Sequence, residues 1–108
     1  MAKNSRKGVK MKFDYDPEID DLFIYYSNSK SKGSIEIGDI ILDLNSKKEL
    51  VGIELLNASK FIDNKEILKG LKECKLEIRK QNGWMILKLK LIGKNKEIEP
   101  IINIPLIN

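Results

Sequence analysis

From residue 9 to residue 16 apolar and polar side chains alternate, with Val9, Met11, Phe13 and Tyr15 set against Lys10, Lys12, Asp14 and Asp16. A period of two predicts a strand with one face in a core and the other in water. Asp16-Pro17-Glu18 then supplies turn chemistry, with Asp at the first position and Pro at the second, before "LFIYY" (22–26) resumes as a strand apolar on both faces. "SIEIG", "DIILDLN", "LVGIELL", "CKLEIRK", "WMILKLKLI" and "EIEPIINIPLI" read as further strands, joined at "NSKKE", "QNG" and "GKNK". Pro100 and Pro105 lack the amide proton a sheet interior needs, so the last strand is expected at an edge. Helical spacing occurs once, in "DNKEILKGLKEC", where Asp63 is the expected cap with Glu66 three residues on, followed by Ile67, Leu68, Leu71 and Cys74. The expected fold class is therefore α+β: a largely antiparallel meander of six to eight short strands with one amphipathic helix packed on the sheet.

A chain of 108 residues suits one core. Residues 1–8 read as a flexible basic arm and residues 9–108 as a single domain. A hydrophobic content of 42% beside 33% charged residues excludes a disordered chain, which would lack the apolar surface to offset chain entropy. The Lys- and Glu-rich composition matches that of heat-adapted proteins. With one cysteine there is neither an intrachain disulfide nor a cysteine-built zinc cage. The basic start has no apolar stretch behind it, and no segment approaches the ~20 apolar residues of a membrane span, so a cytoplasmic protein is expected.

Absences remove most catalytic chemistry. Without histidine there is no Ser-His-Asp or Cys-His device and no HExxH zinc site. Gly33, Gly38 and Gly52 are scattered, and no Gly-Lys-Ser/Thr triplet follows a strand, so no phosphate loop is expected. Asp14, Asp16, Glu18 and Asp20 begin like a calcium-binding loop, but Ile19 and Tyr25 stand where that loop needs Gly and Glu. Asp20, Asp21, Asp43 and Glu54 are the candidate ligands for a looser magnesium site, against the plainer reading that they are turn and wet-face residues. Glu73-Cys74-Lys75 has the letters of a nuclease triplet, a cheap match in a chain so rich in Glu and Lys. No cofactor is implied. Lys75, Arg79, Lys88, Lys90 and Lys94, with Trp84 on the same hairpin, form the candidate nucleic-acid surface; exposed lysines that guard a sheet edge are the plainer account.

"YDPEIDDLFIYY", "IILDLN" and "LVGIELLNASK" together, in this order and spacing, resemble the small bacterial and archaeal proteins of domain-of-unknown-function family 2283, over roughly residues 11–60. Tyr15-Asp16, Asp20 or Asp21 leading into Leu22-Phe23-Ile24-Tyr25, and Gly52 to Leu56 with Ala58-Ser59 carry the likeness. "NSKKE" departs from it, because the family often has a Gly in that turn. The resemblance implies a small α+β fold without an assigned activity and, by association with toxin gene pairs, an antitoxin-like role. Gly52 leaves room for Phe23 or Tyr25 to lie across the neighbouring strand, and Glu54 beside those rings needs a partner. The functional expectation is a non-enzymatic protein-binding module, a homodimer or the companion of a small protein, with Phe23, Tyr25, Trp84, Ile102 and Ile104 as interface residues. Nucleic-acid binding by the 75–96 hairpin is the alternative, and a metal-dependent enzyme at the acidic cluster the third reading.

Overall fold

The computed structural model describes residues 6–26 and 30–105, with the backbone alone for residues 6–10. The strands follow the alternation: β1 (Arg6–Asp16), β2 (Asp21–Tyr25), β3 (Gly33–Ile37), β4 (Ile40–Leu44), β5 (Leu50–Leu55), β6 (Glu73–Gln81), β7 (Trp84–Ile92), β8 (Glu97–Ile98) and β9 (Ile101–Pro105). They form one antiparallel nine-stranded sheet in the order β3-β4-β5-β2-β1-β6-β7-β8, with β9 also beside β7. β8 and β9 occupy successive stretches of the same edge, parted by Glu99-Pro100. Of the basic arm, residues 1–5 lie outside the described residues, while Arg6, Lys7 and Gly8 belong to β1.

The α+β expectation is overturned. The only α-helix among the described residues, α1 (Lys65–Lys69), is little more than one turn, and a 3-10 turn at Ala58–Lys60 is the other helical piece. Its cap is Asn64, whose Oδ1 accepts from the Ile67 amide at 3.1 Å, in place of Asp63. Gly70, unfavourable inside a helix, ends it with its own amide on Glu66 O. Three residues further, the chain has already joined β6, where Cys74, Leu76 and Ile78 are buried at period two. The helical spacing of Ile67, Leu68, Leu71 and Cys74 was produced by the chance overlap of a short helix with the first inward residue of a strand. Ile67 and Leu68 are buried in the core. The connection of β5 to β2 also breaks the simple meander, since β2 pairs with β5 and β3 lies two strands further out.

β1 joins the two halves. Its residues 12–16 pair with β2 and its residues 6–11 with β6. The first half-sheet turns Leu22, Ile24, Ile53 and Leu55 inward, and the second turns Leu76, Leu87, Leu89, Leu91 and Ile104 inward; all have an accessible surface of at most 1%. A five-residue helix cannot cover two such faces. The half-sheets therefore cover each other around one continuous core, which Met11 of β1 also enters.

Turn chemistry fixes the register. Asn82-Gly83, both at positive φ, close β6 on β7 in the two-residue turn whose twist matches the strands. Gly38, at φ 58°, opens the two-residue turn between β3 and β4. In "NSKKE", Asn45 organises the loop: its side chain accepts from the Lys47 and Glu49 amides, each at 2.9 Å, and donates to Glu49 Oε1 at 2.9 Å. Lys48 there takes φ 63°, a left-handed conformation that disfavours a residue with a Cβ. The Gly that the resembling family often has in this turn would suit that position. Lys48→Gly is expected to stabilise the fold by about 0.5–1 kcal/mol, read as a higher urea midpoint at unchanged slope.

Candidate functional site

Asp20 ends the β1–β2 loop at φ 56°, a left-handed position that Asp tolerates better than most residues. Its Oδ1 accepts the Tyr15 hydroxyl at 2.7 Å, and its Oδ2 accepts the Ser59 hydroxyl at 2.6 Å and the Ser59 amide at 3.1 Å. Its carbonyl accepts the Ala58 amide at 2.8 Å. These bonds clamp the first hairpin to the 3-10 turn that follows β5, and Ala58, fully buried, plugs the core beneath. Donation by Ser59 and then Tyr15 holds the Asp20 carboxyl below its ordinary range. Tyr15 is pushed up to about 12, by burial first and by its bond to Asp20 second. The role of Asp20 is thus to close a half-sheet, with both of its carboxylate oxygens engaged by Tyr15 and Ser59.

Those others share the outer face of the first half-sheet. Glu54 is the cross-strand partner of Phe23, and the register makes Asp21 and Asp43 its diagonal neighbours on the two flanking strands. The Asp21 carboxyl hydrogen-bonds Glu54, and Asp43 adds like charge from the other side. Asp21 Oδ1 is buried with no other hydrogen-bond partner among the described residues. A proton on Glu54 supplies the missing donor, so the bond to Asp21, then burial, then the two aspartates push Glu54 up to about 7. Burial alone raises Asp43. Beside them Phe23 and Tyr25 stack with ring centroids 4.8 Å apart. Tyr25 lies across Gly52, where an added Cβ would come within 3.2 Å of both Tyr25 Cβ and Ile24 O. Gly52 therefore serves the packing of that aromatic. No group of three acidic or cysteine side chains among the described residues is placed to hold a metal ion.

The outer face of the second half-sheet has a different character. Trp84 is 44% exposed and, with Ile86, Gln81, Asn82 and Asn103, lines an open depression of about 400 Å³. Ile101, 58% exposed, continues the apolar surface opposite Lys88. Ile102 and Ile104, expected at the interface, point the other way and are buried at 7% and 1% exposure. Strand parity explains this correction: a β9 that buries its even residues presents Ile101, Asn103 and Pro105 outward. Phe23 and Tyr25 are half-buried on the other half-sheet, so the five expected interface residues do not form one surface. The basic set is together in part. Lys75, Arg79, Lys88 and Lys90 lie on this face, each 3.3–3.7 Å from a glutamate: Glu73, Glu77, Glu99 and Glu97 respectively. Lys94 is exposed on the β7–β8 connection, away from these rows. Gln81, Asn82 and Asn103 escaped notice in the sequence, although the Asn-Gly turn beside Trp84 signals a hairpin end that would gather them.

Two half-sheets sharing β1 around one core, the first closed by a carboxylate clamp, define a small antiparallel β protein. Residues 12–59 match the family described as "Protein of unknown function (DUF2283)", and the chain belongs to that family. An uncharacterized protein of Methanocaldococcus jannaschii is 38% identical over 94 residues, 83% of this chain and 81% of that protein. A Methanosarcina mazei protein named "Putative hypoxanthine phosphoribosyltransferase" is 36% identical over 97 residues, 87% of this chain and 79% of that one. No solved structure matches. The matched segment runs from the middle of β1 to Ser59, so it contains both ends of the Asp20 clamp, Gly52 and the Glu54 cluster. No helix among the described residues is long and apolar enough to cross a membrane.

Asp20→Ala should remove three hydrogen bonds and leave alanine in a left-handed conformation, lowering stability by roughly 2–3 kcal/mol in denaturant titration. Glu54 gives a pH dependence of definite sign. Its folded pKa lies above the unfolded one, so the native state binds the extra proton; that stability is complete below about 4.5 and is lost as pH rises through about 7. Glu54→Gln is expected to flatten this slope and to be the more stable protein at pH 8 by on the order of 1–2 kcal/mol after solvent screening. Urea midpoints of both proteins at pH 5 and pH 8 test it.

Proposed function

We propose that the protein is a non-enzymatic binding module that takes a protein partner on the outer face of its second half-sheet, around Trp84. The observation that carries this reading is the exposed Trp84 and Ile101 on a face where, among the residues whose side chains are described, Lys75, Arg79, Lys88 and Lys90 are each matched by a glutamate. Such a surface attracts phosphate weakly, since its rows are close to neutral, whereas a large aromatic in a shallow depression is the usual anchor of a protein interface. The nucleic-acid reading loses ground because Glu97 and Glu99, which follow the basic hairpin in sequence, fold back onto Lys90 and Lys88, while Glu73 stands beside Lys75 on the same strand. An antitoxin-like pairing with a small toxin is one form of this module and draws its support from the family resemblance. The Methanosarcina relative's name is that of a phosphoribosyltransferase; the scattered glycines and, among the described residues, the single five-residue α-helix lend such an activity no support in this chain.

The test is capture from native lysate with the tagged protein and with Trp84→Ala, washed at low and high salt. A protein retained through high salt by the wild type and lost at least tenfold by the variant is expected. Nucleic acid held at low salt, released at high salt and indifferent to Trp84 would replace this reading with the basic-hairpin one.

A further inference from the structure

The sheet has two ends, and they are built differently. At one end β8, β9 and the Glu99-Pro100 link between them carry two prolines, Pro100 and Pro105, which cannot donate a ladder bond, together with Glu97 and Glu99. Proline and charge on an edge strand are the usual guards against pairing with another chain. At the other end lies β3, "GSIEI", whose five residues pair with β4 in unbroken register. It contains neither proline nor lysine, and no bulge twists it away. Ile35 is the cross-strand partner of the buried Leu42 and so belongs to the core-side face, yet it is 47% exposed. The apolar row that begins in the core thus runs to the edge of the sheet, where no described residue covers Ile35.

The sequence of β3 is also complementary to itself. Laid antiparallel about Ile35, two copies set Ile35 against Ile35, Ser34 against Glu36 and Gly33 against Ile37, with Lys32 against Gly38 just beyond. No like charges meet, and Lys32 of each strand is the diagonal neighbour of Glu36 on the other. A slip one way would set Glu36 against Glu36. A slip the other way would leave Ile35 opposite Gly33, with its apolar surface unpaired. We propose that the protein pairs with a second copy of itself through β3, the two strands meeting about Ile35 so that the first half-sheets become one continuous sheet. The contact is two-fold symmetric and closes at two copies, because each chain has one such edge. It uses a different face from Trp84 and stands or falls independently of the partner proposed there.

Sedimentation velocity of the full chain over a range of concentrations is the experiment. Wild type is expected to be a dimer. Ile35→Lys and Ile35→Glu should each weaken the dimer at least tenfold by setting like charges opposite one another, and an equimolar mixture of the two should dimerise again. That rescue follows only if residue 35 faces its own counterpart. Should the charged variants fail to fold, judged by circular dichroism, Ile35→Cys replaces them: on mild oxidation it should give a disulfide-linked dimer, since directly opposite strand residues lie within bridging distance and Cys74 is buried. A monomeric wild type, a dimer indifferent to Ile35→Lys, a mixture that stays monomeric or an Ile35→Cys protein that does not cross-link would each overturn the proposal.

Discussion

Each half of this sheet has one apolar face, and neither half has a helix large enough to cover it. That constraint decides the architecture: among the described residues, the only apolar surface extensive enough to meet one half-sheet is the other. β1 makes the meeting obligatory, because its eleven residues hydrogen-bond first to β6 and then to β2, and a strand shared end to end fixes how the two faces approach. Fully buried residues on both sides, such as Ile53 and Leu89, follow from it. So does the sharp difference between the inner faces, which are aliphatic, and the outer faces, where the titratable groups and the exposed rings are found.

The strands were legible because a strand's signal is local: alternation over five to nine residues, bounded by Asp-Pro, Asn-Gly or a lone Gly, needs no knowledge of the rest of the chain. The helix misled for the same reason. Capping letters and two apolar pairs suggested twelve residues, while Gly70 and the pull of β6 on Cys74 limited it to five. Ile102 and Ile104 show a different limit. Their edge position was foreseen, but the single run read from Glu97 is divided at Glu99-Pro100 into β8 and β9, and which parity faces the core depends on pairing with β7, across a turn too irregular to count through. The basic hairpin looked strongly cationic within residues 74–96 because Glu77 is the one acid inside that window; Glu73 stands just before it on the same strand, and Glu97 and Glu99 return to Lys90 and Lys88 only by folding.

Of the acidic residues that were candidate metal ligands, the fold makes two unlike uses. Asp20 remains ionised and spends its oxygens on donors brought from thirty-nine residues away. Glu54, on the neighbouring strand's outer face, finds another carboxyl and is satisfied by keeping its proton. Sequence could nominate both, and it anticipated that Glu54 would need a partner. The partner itself is set by cross-strand diagonals, which become readable once the β2–β5 pairing is known, a pairing between strands twenty-odd residues apart that no local pattern announces.

The clamp at Asp20 has a consequence for the first half as a unit. It ties the loop after β1 to the turn after β5, so the hydrogen-bonded circuit from β1 through β5 closes without help from anything beyond Ser59. What such a unit asks of the chain that follows is modest: one strand able to pair with residues 6–11, and an apolar face broad enough to lie over Leu22, Ile24, Ile53 and Leu55. Many sequences satisfy so short a specification. The second half is therefore the part of this architecture on which the first half places the fewest demands, and it lies beyond the segment that the family model matches.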